Sequence, residues 1–499
     1  MNTAALLALV AIGVVVVLSV VLGFLGTRVA RTTDDFLAAS RTVGSRANAA
    51  AISGQYVAAA AFLGIAGAVL TGGVDGLWFP IGFVAGFLAL LLFVAAPLRR
   101  SGAYTIPDFA EARLDSARLR SLTTVVVVAV GWLYLLPQLQ AAGLALEVLT
   151  GAAPWVGVVV VGLVVTASVT FGGMRSTTVV QALRFWFTVA AIAVPTVVLL
   201  VWLAGRAPAA APAVPAVPRA PEAASPLGAY SLLVGVALGT MGLPHVLVRF
   251  YTNPDGRSAR RTTVLVLAIL GAFVLVPVVL GAVSRSLVPG VLAAGPPDAA
   301  VLLLPQVTLG GDAGAVLGAV VAAGAFAALL AVSAGLVLTV AGVLSSDLLP
   351  GRTADFRIAA HVAGIVPLVA ALVLPRLEIT QSVSAAFAVA ASTFCPLLVL
   401  GIWWRGLTDS GAIAGIVVGG GVALGAEVAT LVGATLPGWA GTLLAQPALV
   451  SVTLAFAVMV AVSRRTASRV PPSVARTLLR LHAPERLGLG APRGAGPAA

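Results

Sequence analysis

From Ala4 to Gly26 the chain carries no ionisable side chain, and a helix needs roughly 20 mainly apolar residues to cross a bilayer. About twelve similar runs follow, near 46–71, 77–97, 120–149, 154–172, 178–204, 228–248, 262–286, 312–347, 357–375, 380–404, 410–434 and 446–463. Lipid offers no partner for a peptide N–H or C=O, so each run must be helical, and none shows the strict alternation of a membrane strand. The expectation is an all-α polytopic membrane protein of about 13 transmembrane helices. With 60% hydrophobic and only 9% charged residues, the chain has too little polar surface for a water-soluble globule. No basic residue precedes the first run, and Arg28 and Arg31 follow it, so it reads as a retained span and not a cleaved signal.

Arginine sets the orientation. All 29 basic residues are Arg, and with the N-terminus outside, 25 of them fall in segments facing the cytoplasm, against Arg206, Arg219, Arg285 and Arg376 outside. The net charge of +12 therefore reads as topology and attraction to anionic membrane lipid, not as a nucleic-acid surface. The predicted location is the plasma (inner) membrane, multi-pass, with a cytoplasmic C-terminus. Without lysine there is no Walker A loop and no Schiff-base lysine. His245, His361 and His482 lie far apart and Cys395 is alone, so no metal-site spacing or disulfide is offered. Neither an enzyme nor a cofactor is expected.

Residues 1–463 form the predicted transmembrane domain, and 464–499 an Arg-rich cytoplasmic tail without a fold, although SVARTLLRLHAPERLG within it has the pattern of a basic amphipathic helix. The Ala/Pro-rich stretch at 205–226 reads as an extended external linker. Gly411, Gly415 and Gly419 repeat at four-residue spacing, as close helix packing requires. Two runs are interrupted. The second places Ser53, Gly54, Gln55 and Tyr56 in succession within hydrocarbon, and the seventh places Gly239, Thr240, Gly242 and Pro244 in mid-membrane. An odd shift of five runs separates them, so the second copy enters from the opposite face. Paired broken helices in inverted halves point to a transporter's binding centre.

The chain resembles the solute:sodium symporter family, in its cation/acetate (monocarboxylate) branch. The resemblance is carried by DDFLAASR at 34–41, AISGQYVAAAAFLGIAG at 51–67, GAYTIPDF at 102–109, WLYLLPQLQAAG at 132–143, FGGMRSTTVVQ at 171–181, MGLPHVLVRFYT at 241–252 and AAFAVAAS at 385–392. It implies a LeuT-type fold of two inverted five-helix repeats, about 46–204 and 228–404, with alternating access around a central site. An unwound helix frees amides that suit a carboxylate and carbonyls that suit a cation. The expected hinges are Ser53–Tyr56 and Gly239–Leu243. The expected substrate-binding residues are Gln55, Tyr56, Tyr134, Gln138, Thr240 and Gly242, while His245 and Arg249 are assigned to gating or a proton relay. Tyr134 and Gln138 share one helical face, where helix-to-helix hydrogen bonding is the alternative role.

By the same resemblance, a sodium ion would sit between the carbonyls of Gly54 and Val57 and the ninth-run positions Ala328, Ala331 and Val332. The hydroxyls expected there are missing, and Ser333 is one residue, about 100° of helix, out of place. The coupling ion is therefore left as Na⁺ or H⁺. Coupling is needed because an anion entering against an inside-negative potential loses about 2.3 kcal/mol per 100 mV. The leading expectation is a symporter importing acetate, propionate or pyruvate. Other readings are the same fold serving an amino acid or sugar, or a non-transporting sensor. The branch also implies a small membrane accessory protein as partner, though no stretch marks a docking surface for one.

Overall fold

The computed structural model of the chain describes residues 3–26, 44–171, 174–205, 225–288, 290–347 and 353–484. DDFLAASR, the side chains of 171–180, the Ala/Pro-rich stretch from 206 to 224 and the tail beyond 484 lie outside the described residues. All the expected runs are helical. Span 1 is Thr3–Gly26; span 2 is Ser45–Tyr56, a π-helical turn Ala60–Gly64 and Ile65–Gly72; span 3 is Trp78–Phe93, continued by Ala95–Arg100. Spans 4 to 6 are Ala117–Thr150, Pro154–Phe171 and Met174–Ala204. Span 7 is Pro226–Gly242 with Pro244–Phe250, and spans 8 to 11 are Gly256–Leu287, Gly311–Asp347, Thr353–Val373 and Ile379–Trp403. Spans 12 and 13 are Asp409–Leu431 and Ala448–Arg465. Among the described residues, ten helices are long and apolar enough to cross a membrane, or eleven with bent span 7. One of the ten merges the second part of span 2 with span 3, and span 5 is a shorter apolar helix.

Spans 9 and 11 are buried on almost every side, as helices that are apolar all round must be; span 9 is rich in Gly and Ala and span 11 in Ala, which lets neighbours approach. At Gly239 a Cβ would strike the carbonyl of Phe387, and at Gly242 it would lie 2.6 Å from the carbonyl of Ala390, so span 7 lies backbone to backbone on span 11. Gly411, Gly415 and Gly419 seat span 12 on span 13 in the same way.

The two ends of the bundle are tied differently. At one end arginines satisfy carbonyls of a loop and of a helix end: Arg99 donates to Asn253 and Pro254, and Arg113 donates to Gly401 at 2.7 Å and Trp404 at 3.0 Å, at the end of span 11. Arg120 meets Asp108 at 2.9 Å, Glu111 at 2.5 Å and Asp347 at 2.7 Å, joining spans 4 and 9 to the helix Ile106–Leu114. The GAYTIPDF motif starts that helix, with Thr105 and Asp108 forming a reciprocal capping box. Within the tail, the structure departs from the sequence expectation over Val474–His482. This helix buries Leu478 and Leu481, stacks His482 edge-on against Trp403 at 4.8 Å and gives its His482 carbonyl to Arg100 at 3.1 Å. Its apolar stripe finds a protein surface, where the sequence alone suggested lipid.

At the opposite end, Arg285 donates to Leu70 and Thr71 at 2.7 and 2.9 Å. Asp298, in the turn between spans 8 and 9, sits over Gly67 and accepts from the first amide of span 11, Ile379, at 2.9 Å. Burial raises its carboxyl to about 6; the Ile379 bond and Arg376 pull it down, and Glu378 pushes it up. Undocked, the carboxyl would titrate near 3.9, so docking takes up a proton, is fully favoured below that value and weakens as pH rises through about 6.

Two outcomes follow from this packing. Gly242→Ala lowers thermal stability in detergent by about 1–3 kcal/mol, whereas Ala at Gly421, where a Cβ meets nothing within 4 Å, does not. Maleimide labelling of a cysteine at buried Ala299, normalised to one at exposed Pro296, rises from about pH 5 to 7, and Asp298→Asn removes the rise.

Candidate functional site

Span 2 is helical through Tyr56, and its break falls at Val57–Ala59. The Ala58 N–H turns back to the Tyr56 carbonyl at 2.8 Å, and the Ala59 N–H is taken by Gln138 Oε1 of span 4, also at 2.8 Å. In a continuous helix those amides would serve the carbonyls of Gly54 and Gln55. The expected hinge at Ser53–Tyr56 is thus helical, and the break follows directly after it at Val57–Ala59. Its cause is tertiary: Val57–Ala59 contains neither Gly nor Pro, and the acceptor that stabilises the break comes from another helix.

Span 7 bends by 43° at Leu243. Pro244 has no N–H to give the carbonyl of Thr240, and the Tyr56 hydroxyl donates to that carbonyl at 2.9 Å. The hinge expected over Gly239–Leu243 narrows to Leu243; Gly239 and Gly242 stay helical and serve the contact with span 11.

Most of the residues expected to hold a ligand have their polar groups committed to the backbone. Tyr56 serves Thr240; Gln138 caps Ala59 and donates to Tyr134 O at 3.3 Å; the Thr240 hydroxyl bonds back to Val236 at 2.7 Å. The Gln55 amide is satisfied at both ends when its nitrogen faces the His245 carbonyl at 2.7 Å and its oxygen faces Arg249 Nε and Nη2, each at 3.1 Å. Arg249 also donates to Gln181 of span 6, and Gln181 Nε2 donates to the Ala331 carbonyl of span 9 at 3.4 Å. Asn48 of span 2 holds the Arg249 carbonyl at 2.9 Å.

Several buried side-chain groups are unpartnered, Asn48 Oδ1 among them. The Tyr134 hydroxyl, both ring nitrogens of His245, and the hydroxyls of Ser53 and Ser333 have no hydrogen-bond partner. The rings of Tyr134 and His245 lie 5.2 Å apart. Phe387 stands edge-on to Tyr134 at 5.7 Å, and Tyr56 packs against Phe83 and Phe87 at 5.2 and 4.3 Å, so the polar pair is set in an aromatic wall. Toward the arginine-rich end, a cavity of about 30 Å³ opens between Val127, Pro244, Val248, Leu338 and Thr339. Of the expected cation positions, Ala328 and Ala331 are buried without a side-chain oxygen, and Gly54 is pressed against Phe185. Val57 lies in the break. Among the described residues no cluster of three or more His, Cys, Asp or Glu side chains is placed to hold a metal.

A model described as the sodium:solute symporter family matches residues 36–419. The chain belongs to the sodium:solute symporter family. It is a membrane solute symporter of this sodium-coupled class, not an enzyme. It is 32% identical to a monocarboxylic acid transporter of Corynebacterium glutamicum over 89% of this chain and 88% of the relative. It is also 32% identical to the uncharacterized symporter YwcA of Bacillus subtilis, over 84% and 85% of the two chains. A Na⁺-coupled sialic acid symporter in its substrate-bound outward-open state has a similar structure, with TM-score 0.69 and 16% identity over 93% of this chain and 97% of that one. Mhp1, a nucleobase-cation-symport-1 family transporter, aligns with TM-score 0.56 and 15% identity over 90% and 99%. MhsT in complex with L-phenylalanine aligns with TM-score 0.53 and 15% identity over 83% and 97%. The architecture is thus the LeuT fold.

Sequence reasoning passed over Gln181, which ends a quoted motif, and Asn48. Both are polar residues within apolar surroundings, a signal that could have marked them. Tyr56→Phe and Gln138→Leu each leave one backbone group in the buried centre without its side-chain partner. Each should lower thermal stability by about 1–3 kcal/mol, and the double variant should lose less than the sum, because the two breaks touch.

Proposed function

We propose that the protein imports short monocarboxylates, such as acetate, propionate or pyruvate, together with Na⁺ or H⁺ by alternating access. The observation that carries this is the buried Tyr134–His245 pair, whose rings lie 5.2 Å apart at the bend of span 7 and whose hydroxyl and ring nitrogens are unspent. One small polar grip set among Tyr56, Phe83, Phe87 and Phe387 matches a ligand with one charged end and a short carbon chain. The Tyr134 hydroxyl donates to a carboxylate, and the His245 ring donates through whichever nitrogen carries its proton. The likeness to the Corynebacterium monocarboxylic acid transporter supports the same substrate class.

The arginine-rich end is the cytoplasmic one in this reading, because 25 of 29 Arg gather there and basic loops are retained inside. The cavity beside Pro244 and Val248 then lies on the inward route from the bend. The protein sits in the plasma membrane with its N-terminus outside.

The test is uptake of labelled acetate into proteoliposomes under separately imposed sodium and proton gradients. Tyr134→Phe and His245→Leu should each cut initial uptake by about tenfold or more, the loss of one hydrogen bond to a charged ligand. Unchanged uptake in both variants, or competition by amino acids or sugars but not by pyruvate, would sink the proposal.

A further inference from the structure

The junction between spans 2 and 9 is where the fold's resemblance puts a coupling sodium ion, and the residues present do not fit one. Sodium is a hard cation that needs several oxygen ligands at once. Ala328, Ala331 and Val332 supply no side-chain oxygen, and the Ala331 carbonyl accepts from the Gln181 amide at 3.4 Å. The Gly54 carbonyl, whose helical donor Ala58 turns to Tyr56 instead, is a main-chain oxygen released at the break, but without the span 9 hydroxyls it does not make up the several ligands sodium needs. The unpartnered buried side-chain oxygens on these two spans are Asn48 Oδ1, whose amide nitrogen holds the Arg249 carbonyl, and the hydroxyls of Ser53 and Ser333.

A different cation is already there. The Arg249 side chain is wholly buried, and its guanidinium donates to Gln181 Oε1 and faces Gln55 Oε1 at 3.1 Å through both Nε and Nη2. Gln181 then passes the connection to Ala331, so the guanidinium is one side-chain amide away from a residue expected at the sodium position. Four spans meet in this knot: span 2 through Gln55 and Asn48, span 6 through Gln181, span 7 through Arg249 and span 9 through Ala331. A second positive charge beside a guanidinium in a low-permittivity interior is repelled far more strongly than it would be in water.

We infer that Arg249, bridged through Gln55 and Gln181, is a protein-held cation that closes the junction of spans 2 and 9 in place of a sodium ion. An ion can leave and so report its concentration; a guanidinium fixed to span 7 cannot. Any coupling ion the protein uses therefore binds elsewhere, and the span 2–span 9 junction holds together without sodium.

The experiment is hydrogen exchange of the segment 53–60 in the purified, lipid-reconstituted protein, in sodium chloride and in choline chloride at equal ionic strength. The wild type should exchange equally in both salts, and Gln181→Ala should speed exchange about tenfold in either, as expected for loss of a hydrogen bond to a charged group. Arg249→Lys, which keeps the charge but loses the fork, should show a smaller increase than Gln181→Ala. Sodium-dependent slowing in the wild type would overturn the inference, and its disappearance in Ser333→Ala would place the ion at that hydroxyl. Unchanged exchange in Gln181→Ala would overturn it as well. No substrate is present, so the result stands apart from the monocarboxylate reading.

Discussion

In hydrocarbon a peptide group without a partner costs several kcal/mol, and a transporter that unwinds two helices at mid-membrane must meet that cost from its own side chains. Here span 2 meets it for span 7, and span 4 meets it for span 2. Tyr56, the last helical residue before the break of span 2, serves the carbonyl that Pro244 leaves free in span 7, and Gln138 of span 4 serves the amide released at Ala59. The hinges are therefore one polar unit. Neither span can straighten or shift without exposing a group in the other.

This mutual bracing of spans 2, 4 and 7 decides which side chains keep unspent groups. Tyr56, Gln138, Thr240 and Gln55 are polar residues at the centre, yet each is occupied with main chain or with Arg249. Tyr134 and His245 are the ones beside the bend whose groups are unspent. Counting hydrogen bonds thus separates residues that keep the site in shape from those able to touch what passes through it.

The fold was readable because its signal is long and one-dimensional. A run of about twenty apolar residues has few alternatives in lipid, and all the expected runs are helices in the structure. Pro244 announced the bend of span 7, since a missing N–H is a property of the residue itself. The break of span 2 was misplaced because nothing in Val57, Ala58 and Ala59 opposes a helix; the decision is made by Gln138, about eighty residues on. Gln181 escaped for the same reason, its meaning residing in Arg249, Gln55 and Ala331, which only the folded chain brings to it. The helix Val474–His482 carried the right pattern, but a stripe of leucines does not say whether it will meet lipid or protein.

That short terminal helix has a mechanical consequence. It is anchored on Arg100, at the end of span 3 in the first repeat, and on Trp403, at the end of span 11 in the second. Two consecutive prolines, Pro471 and Pro472, join it to the segment that follows span 13, and proline fixes its own backbone torsion. A stiff elbow of this kind transmits displacement instead of absorbing it. Were the halves to rock, as in the alternating access proposed above, the clip would either travel as a lever with one of them or unfasten.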